Sequence, residues 1–176
     1  MDIKLKVVLS SIGSVISSTL IYIVLHEGGH SLVAVICGAN ITTFSILGAH
    51  MSYDGGIFNS FTLALLDVAG MLLPVLVSII YMIFYQGGLT SILYRIFSFL
   101  FVLIPISSIL AWVFVPIFYL FGKEPINDDV TRFLNNTGIN PVVIVVAATI
   151  TLTCCIFIAW NKKIIQNYWS TLRSVR

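Results

Sequence analysis

Four long apolar stretches separated by short polar ones set the plan of this chain. They cover about 5–36, 58–85, 92–121 and 141–160. As helices rising 1.5 Å per residue, each is long enough to cross a hydrocarbon core of about 30 Å. Cys37-Gly38-Ala39-Asn40 ends the first with helix-stopping chemistry. The stretch 41–56 is short, partly alternating and closed by Gly55-Gly56. It predicts a pair of short strands or a re-entrant hairpin. At membrane depth such backbone survives only when packed in protein or lining a wet cavity. Gly87-Gly88 marks a tight turn, and Pro105 and Pro116 predict a third helix that is kinked or split in two. A polar stretch follows at 122–140, and a basic tail occupies 161–176. The pattern predicts one all-α integral membrane domain over 1–176. It is a bundle of about four transmembrane helices with a short β-like or re-entrant loop after the first.

Composition agrees with that plan. The chain is 59% hydrophobic and 9% charged, and its mean hydropathy is +1.05, far from the range of water-soluble domains. The expected surroundings are therefore a lipid bilayer. The net charge of +2 gives no reason to expect nucleic acid. Its distribution speaks to orientation instead. With four spans, Lys4 and Lys6, Arg95, and the tail residues Lys162, Lys163, Arg173 and Arg176 all fall on one side. The positive-inside rule assigns that side, and with it both termini, to the cytoplasm. Lys4 and Lys6 ahead of an apolar run look like a secretory signal, but no small-x-small cleavage site follows. Val35-Ile36-Cys37 is also a poor lipoprotein box. The segment is expected to stay as the first span. Cys37, Cys154 and Cys155 have no metal-type spacing and read as small buried hydrophobes.

The chemistry is concentrated in His26-Glu27-Gly28-Gly29-His30, inside the first apolar stretch. Residues four apart share a helix face, so both imidazoles can reach one metal ion, and the glutamate can reach a water beside it. The chain has three histidines in 176 residues. On composition alone a chance match to this pattern is rare, roughly 0.0006. Ionisable groups are costly in an apolar span, which favours a functional reading over a hydrogen-bonded polar patch. A catalytic zinc takes three protein ligands, which leaves a third to find. The candidates are His50, Asp54, Asp67, Glu124, Asp128 and Asp129. Asp67 lies at a depth in its span similar to that of His30. Asn127-Asp128-Asp129 precedes Val130-Thr131-Arg132-Phe133-Leu134, which looks like a capped short helix presenting carboxylates at its N-terminus.

With these landmarks the chain resembles the site-2 protease family of membrane-embedded zinc metalloproteases, in its small, domain-poor form. The resemblance rests on His26-Glu27-Gly28-Gly29-His30 followed by Gly38, on Gly55-Gly56, on Ala69-Gly70 with Pro74, and on an Asn-Asp motif before the last span. It implies one Zn2+ per chain held by His26, His30 and either Asp129 or Asp128, with Asp129 favoured because it starts the helical run. It also implies Glu27 as general base and a membrane-protein substrate. The longer Asn-x-x-Pro…Leu-Asp-Gly form of the third-ligand motif does not occur here, and no PDZ-type module lies within these residues. A helical substrate must unwind before attack, and an exposed edge in the 41–53 stretch could hold it extended. Two other classes fit the same motif: a membrane hydrolase of a lipid or small amide, and a non-catalytic metal-binding membrane protein. Iron or cobalt suit the same ligands, with zinc the default.

Overall fold

The apolar stretches become four long helices, and their ends are set by identifiable side chains. In the computed structural model, which describes residues 2–174, α1 spans Ile3–Ile36, with Asp2 accepting a hydrogen bond from Lys4 N at its start. A hairpin follows, β1 Ala39–Ser45 and β2 His50–Gly55. Next comes α2, Ser60–Phe84, opened by a capping box in which Asn59 and Thr62 satisfy each other's backbone amides. α3 is Ile92–Leu120, and α4 is the nine-residue helix Asp129–Thr137. α5 is Pro141–Asn161, with Pro141 in the first turn, where its missing N–H costs nothing. α6 is Ile164–Arg173.

Four of these, α1, α2, α3 and α5, are long and apolar enough to cross a membrane. Their exteriors are apolar too: only 17% of the most apolar window of α1 and 22% of that of α5 is buried within the bundle. Leu9, Ile12 and Ile16 of α1 and Val143, Val146 and Ile150 of α5 face outward. α1 packs on α2 and α3, and α3 on α5. The main core lies between α2, α3, α4 and α5, around Val75, Met82, Ile109, Trp112, Leu134 and Cys155. A smaller cluster, Val33, Ala34, Ala39, Leu66 and Ala69, joins the end of α1 to β1 and α2.

Two expectations change, and a third, the pair of short strands after α1, is borne out. The third helix is continuous from Ile92 to Leu120, so neither Pro105 nor Pro116 splits it. The 41–56 stretch is an antiparallel hairpin, paired from Ala39↔Gly55 to Ser45↔His50 with a bulge between Ile41 and Thr43. The tail contains a further helix, α6, which stacks Tyr168 on Phe99 of α3 with ring centroids 3.9 Å apart. Its apolar positions, Ile164, Ile165, Tyr168 and Leu172, recur at helical spacing. Arg95 Nε donates to Leu89 O and Lys162 Nζ to Ile83 O, so the second turn and the start of the tail share one end of the bundle. Arg176 lies outside the described residues.

Candidate metal centre

His26 and His30 sit one turn apart on α1, at the crossing with α2. Two glycines make that crossing close. A methyl group on Gly29 would run into the Ala69 carbonyl of α2. One on Gly70 would strike His30 Nε2 and come within 2.8 Å of His26 Cε1. The imidazoles thus occupy the volume that a side chain at position 70 would need. Here glycine is required by close approach, not by backbone angle.

Asp129 reaches the same point from α4. Its Oδ2 lies 3.4 Å from His26 Nε2 and 3.3 Å from His30 Nε2, and the two Nε2 atoms are 3.3 Å apart. The three atoms form a nearly equilateral triangle. Metal–ligand bonds of about 2.0–2.1 Å in a tetrahedron put ligand atoms roughly 3.3–3.4 Å apart. The triangle therefore has the size of one face of a tetrahedral metal site.

Hydrogen counting points the same way. His30 Nδ1 is 2.7 Å from the Leu66 carbonyl oxygen. A carbonyl can only accept, so Nδ1 carries the hydrogen and a neutral His30 turns the lone pair of Nε2 to the centre. The Asp129 carboxylate brings lone pairs only, and a neutral His26 can bring at most one hydrogen. Its Nδ1 lies 3.4 Å from the Tyr22 hydroxyl. Three acceptor atoms thus converge with one hydrogen at most among them. Such a set fits a divalent cation, and a ring hydrogen-bonded through its far nitrogen to a carbonyl is the usual support of a metal-bound histidine. Burial works to raise the Asp129 carboxyl, but hydrogen bonds from His26 and His30 in the forms that carry a hydrogen on Nε2, together with the Arg132 guanidinium, outweigh it. They hold the group well below the usual carboxylate range; a bound cation would stand in place of those hydrogens.

A cavity of about 450 Å³ opens onto the triad. Glu27 is buried along its wall, and among the described residues its carboxylate takes part in no hydrogen bond or ion pair. His50, Met51 and Tyr53 of β2 also line the cavity.

The sequence candidates separate clearly. His26, His30 and Asp129 form a group that could hold a metal ion, with Glu27 beside them. Asp128 stands next to Asp129 but is the N-cap of α4: its Oδ1 accepts from Val130 N at 2.9 Å and Thr131 N at 3.4 Å. Asp67 borders the cavity, but both of its oxygens are engaged, one by Arg132 Nε at 3.2 Å and the other by Asn136 Nδ2 at 2.7 Å. His50 lines the cavity without joining the triad, and the exposed Asp54 turns back on the Gly55 amide. Glu124 lies in the 122–128 loop, outside the group. Sequence reasoning did not single out Gly70 as a contact of the imidazoles, the Leu66 carbonyl, Arg132 or Asn136. Arg132 had a visible signal, since it follows Asp129 by three residues on a helix face. The carbonyl had none. Comparison with protein-family models, curated proteins and solved structures finds no match to this chain.

Proposed function

We propose that this chain is an integral membrane zinc metalloprotease that hydrolyses peptide bonds of membrane-protein substrates within the bilayer. One observation carries the reading. Two imidazoles and an ionised carboxylate converge on one point at tetrahedral spacing, with an unengaged glutamate on the same cavity wall. The four long apolar helices with apolar exteriors support the membrane setting. The resemblance to the site-2 protease family supports the reaction.

His26, His30 and Asp129 would hold the ion. When bound, zinc supplies Lewis acidity: it lowers the pKa of a coordinated water to about 7 and polarises a carbonyl. Glu27 takes a proton from the attacking water and passes it to the nitrogen of the leaving amine. The carbonyl carbon gains a C–O bond, the C–N bond breaks, and a carboxylate and an amine leave. His30 keeps its Nε2 aimed at the centre because the Leu66 carbonyl holds the opposite nitrogen. β2, with one edge paired to β1, offers its cavity side to an extended peptide, which suits a substrate that has unwound locally.

The test is metal content and product analysis on detergent-purified protein. Wild type is expected to carry about one zinc per chain, and His26→Ala and Asp129→Asn to carry none. In proteoliposomes with single-span candidate substrates, Glu27→Gln should keep the metal and lose cleavage by about 10²–10⁴-fold. Metal-free wild type sinks the proposal. So does metal-loaded protein that releases only lipid or small-amide products.

A further inference from the structure

We propose that Arg132, anchored by Asp67, which Asn136 holds in turn, is a positioning residue that selects which oxygen of Asp129 faces the imidazoles. The inference rests on reading His26, His30 and Asp129 as metal ligands. Arg132 makes three contacts with three different donors. Its Nη2 binds Asp129 Oδ1, its Nε lies 3.2 Å from Asp67 Oδ1, and its Nη1 lies 3.4 Å from the Asn127 carbonyl oxygen. A guanidinium is a rigid planar fork, so seating two of its donors fixes the direction of the third. With Oδ1 of Asp129 taken by Arg132, Oδ2 is the oxygen left to point at His26 and His30. The carboxylate is thereby set to bind through one oxygen.

Asp67 is the fixed end of this chain of contacts. Its side chain is buried, and Asn136, one turn beyond Arg132 on α4, donates to its second oxygen at 2.7 Å. A buried carboxylate needs a cationic partner and full hydrogen bonding, and Asp67 obtains both from α4. Asp67 directly follows Leu66, whose carbonyl orients His30. Two consecutive residues of α2 therefore reach both sides of the centre, one through the backbone to His30 and the other through Arg132 to Asp129. This explains why α2 carries a carboxylate at the depth of the triad without contributing a ligand. Asp67 acts on the ion only through Arg132.

The experiment is a Co2+ titration of the full chain in detergent after metal removal, followed by visible absorption and then by competition with Zn2+. Wild type is expected to bind one ion with the strong visible bands of a tetrahedral site. Arg132→Met should weaken affinity about 10–100-fold and lower the band intensity, because a freed carboxylate can bind through both oxygens. Arg132→Lys keeps the charge without the fork and should recover less than half of the loss. Asp67→Asn should weaken binding less than Arg132→Met does, and should add nothing in the Arg132→Met background. That double variant also removes the orphaned buried carboxylate, so it stays measurable if Arg132→Met alone fails to fold. Leu134→Ala, which loosens α4 without touching this chain of contacts, should leave the band shape of bound Co2+ unchanged. Unaltered affinity and bands in Arg132→Met overturn the positioning role and leave the metal site standing. Equal spectral change in Leu134→Ala, or additive losses in the double variant, overturn it as well. Wild type that binds no Co2+ or Zn2+ overturns both readings at once.

Discussion

The helix that brings the two imidazoles and the helix that brings the carboxylate are built on opposite principles. α1 has 34 residues, an apolar exterior, and contacts to α2 governed by the absence of side chains at Gly29 and Gly70. α4 has nine residues, is capped by Asp128 at one end and by left-handed Gly138 at the other, and is fastened by the Arg132–Asp67 pair. Shape places His26 and His30; capping and charge place Asp129. The first kind of placement fails abruptly, because a colliding atom has nowhere to go. The second fails by degrees, because each cap or ion pair contributes a modest share.

The sharpest way to break this contrast is Gly70→Ala. The added methyl would collide with His30 Nε2 and press on His26 Cε1, so metal content should drop to background, as measured on purified protein. Retained metal would mean that α1 and α2 can part without cost. Next comes Leu134→Ala, which empties a fully buried position where α4 meets the main core. It should cost about 2–5 kcal/mol in unfolding experiments, with metal affinity falling in proportion to α4 undocking. Asp128→Ala removes only the cap and should cost about 0.5–2 kcal/mol. Its zinc stoichiometry should stay near one, which would separate it from its neighbour Asp129. The smallest effect is expected at Gly28, where an added methyl meets nothing within 4 Å. Gly28→Ala should be neutral or stabilising by up to about 1 kcal/mol in thermal melts. A large loss there would show that the whole motif, and not only its α2-facing side, tolerates no bulk.

The same contrast explains what could be read from the sequence. The two histidines are four apart on one helix, so local periodicity alone puts them on a common face. The four apolar stretches are likewise local facts, and their boundaries differ from the helices by two residues at most. The third carboxylate is a long-range fact. Asp128 and Asp129 are chemically identical neighbours, and what divides them is that one side chain folds back onto its own backbone. Asp67 has the right depth, but the direction of its carboxylate is decided by Arg132 and Asn136, more than sixty positions away. The spacing of Ile164, Ile165, Tyr168 and Leu172 carries the local signal for α6, whereas Lys162 and Lys163, which help make the tail read as basic, lie outside the helix. The prolines of α3 predict a kink or a split because each removes a helical hydrogen bond, and the split does not occur: α3 runs unbroken from Ile92 to Leu120, packed against α1, α2 and α5.

The distance along the chain between the triad's parts also sets an order of events. Asp129 follows His30 by about a hundred residues, and chains are made at about 5–20 residues per second. The two imidazoles and Glu27 therefore exist for roughly 5–20 s with no carboxylate to complete their set. During that interval α2 and α3 must emerge and pack before α4 has a surface to dock on. On the proposed reading, the site can hold an ion only after α4 has been made and has docked. A ribosome-bound chain stopped before residue 129 should be unable to retain an ion.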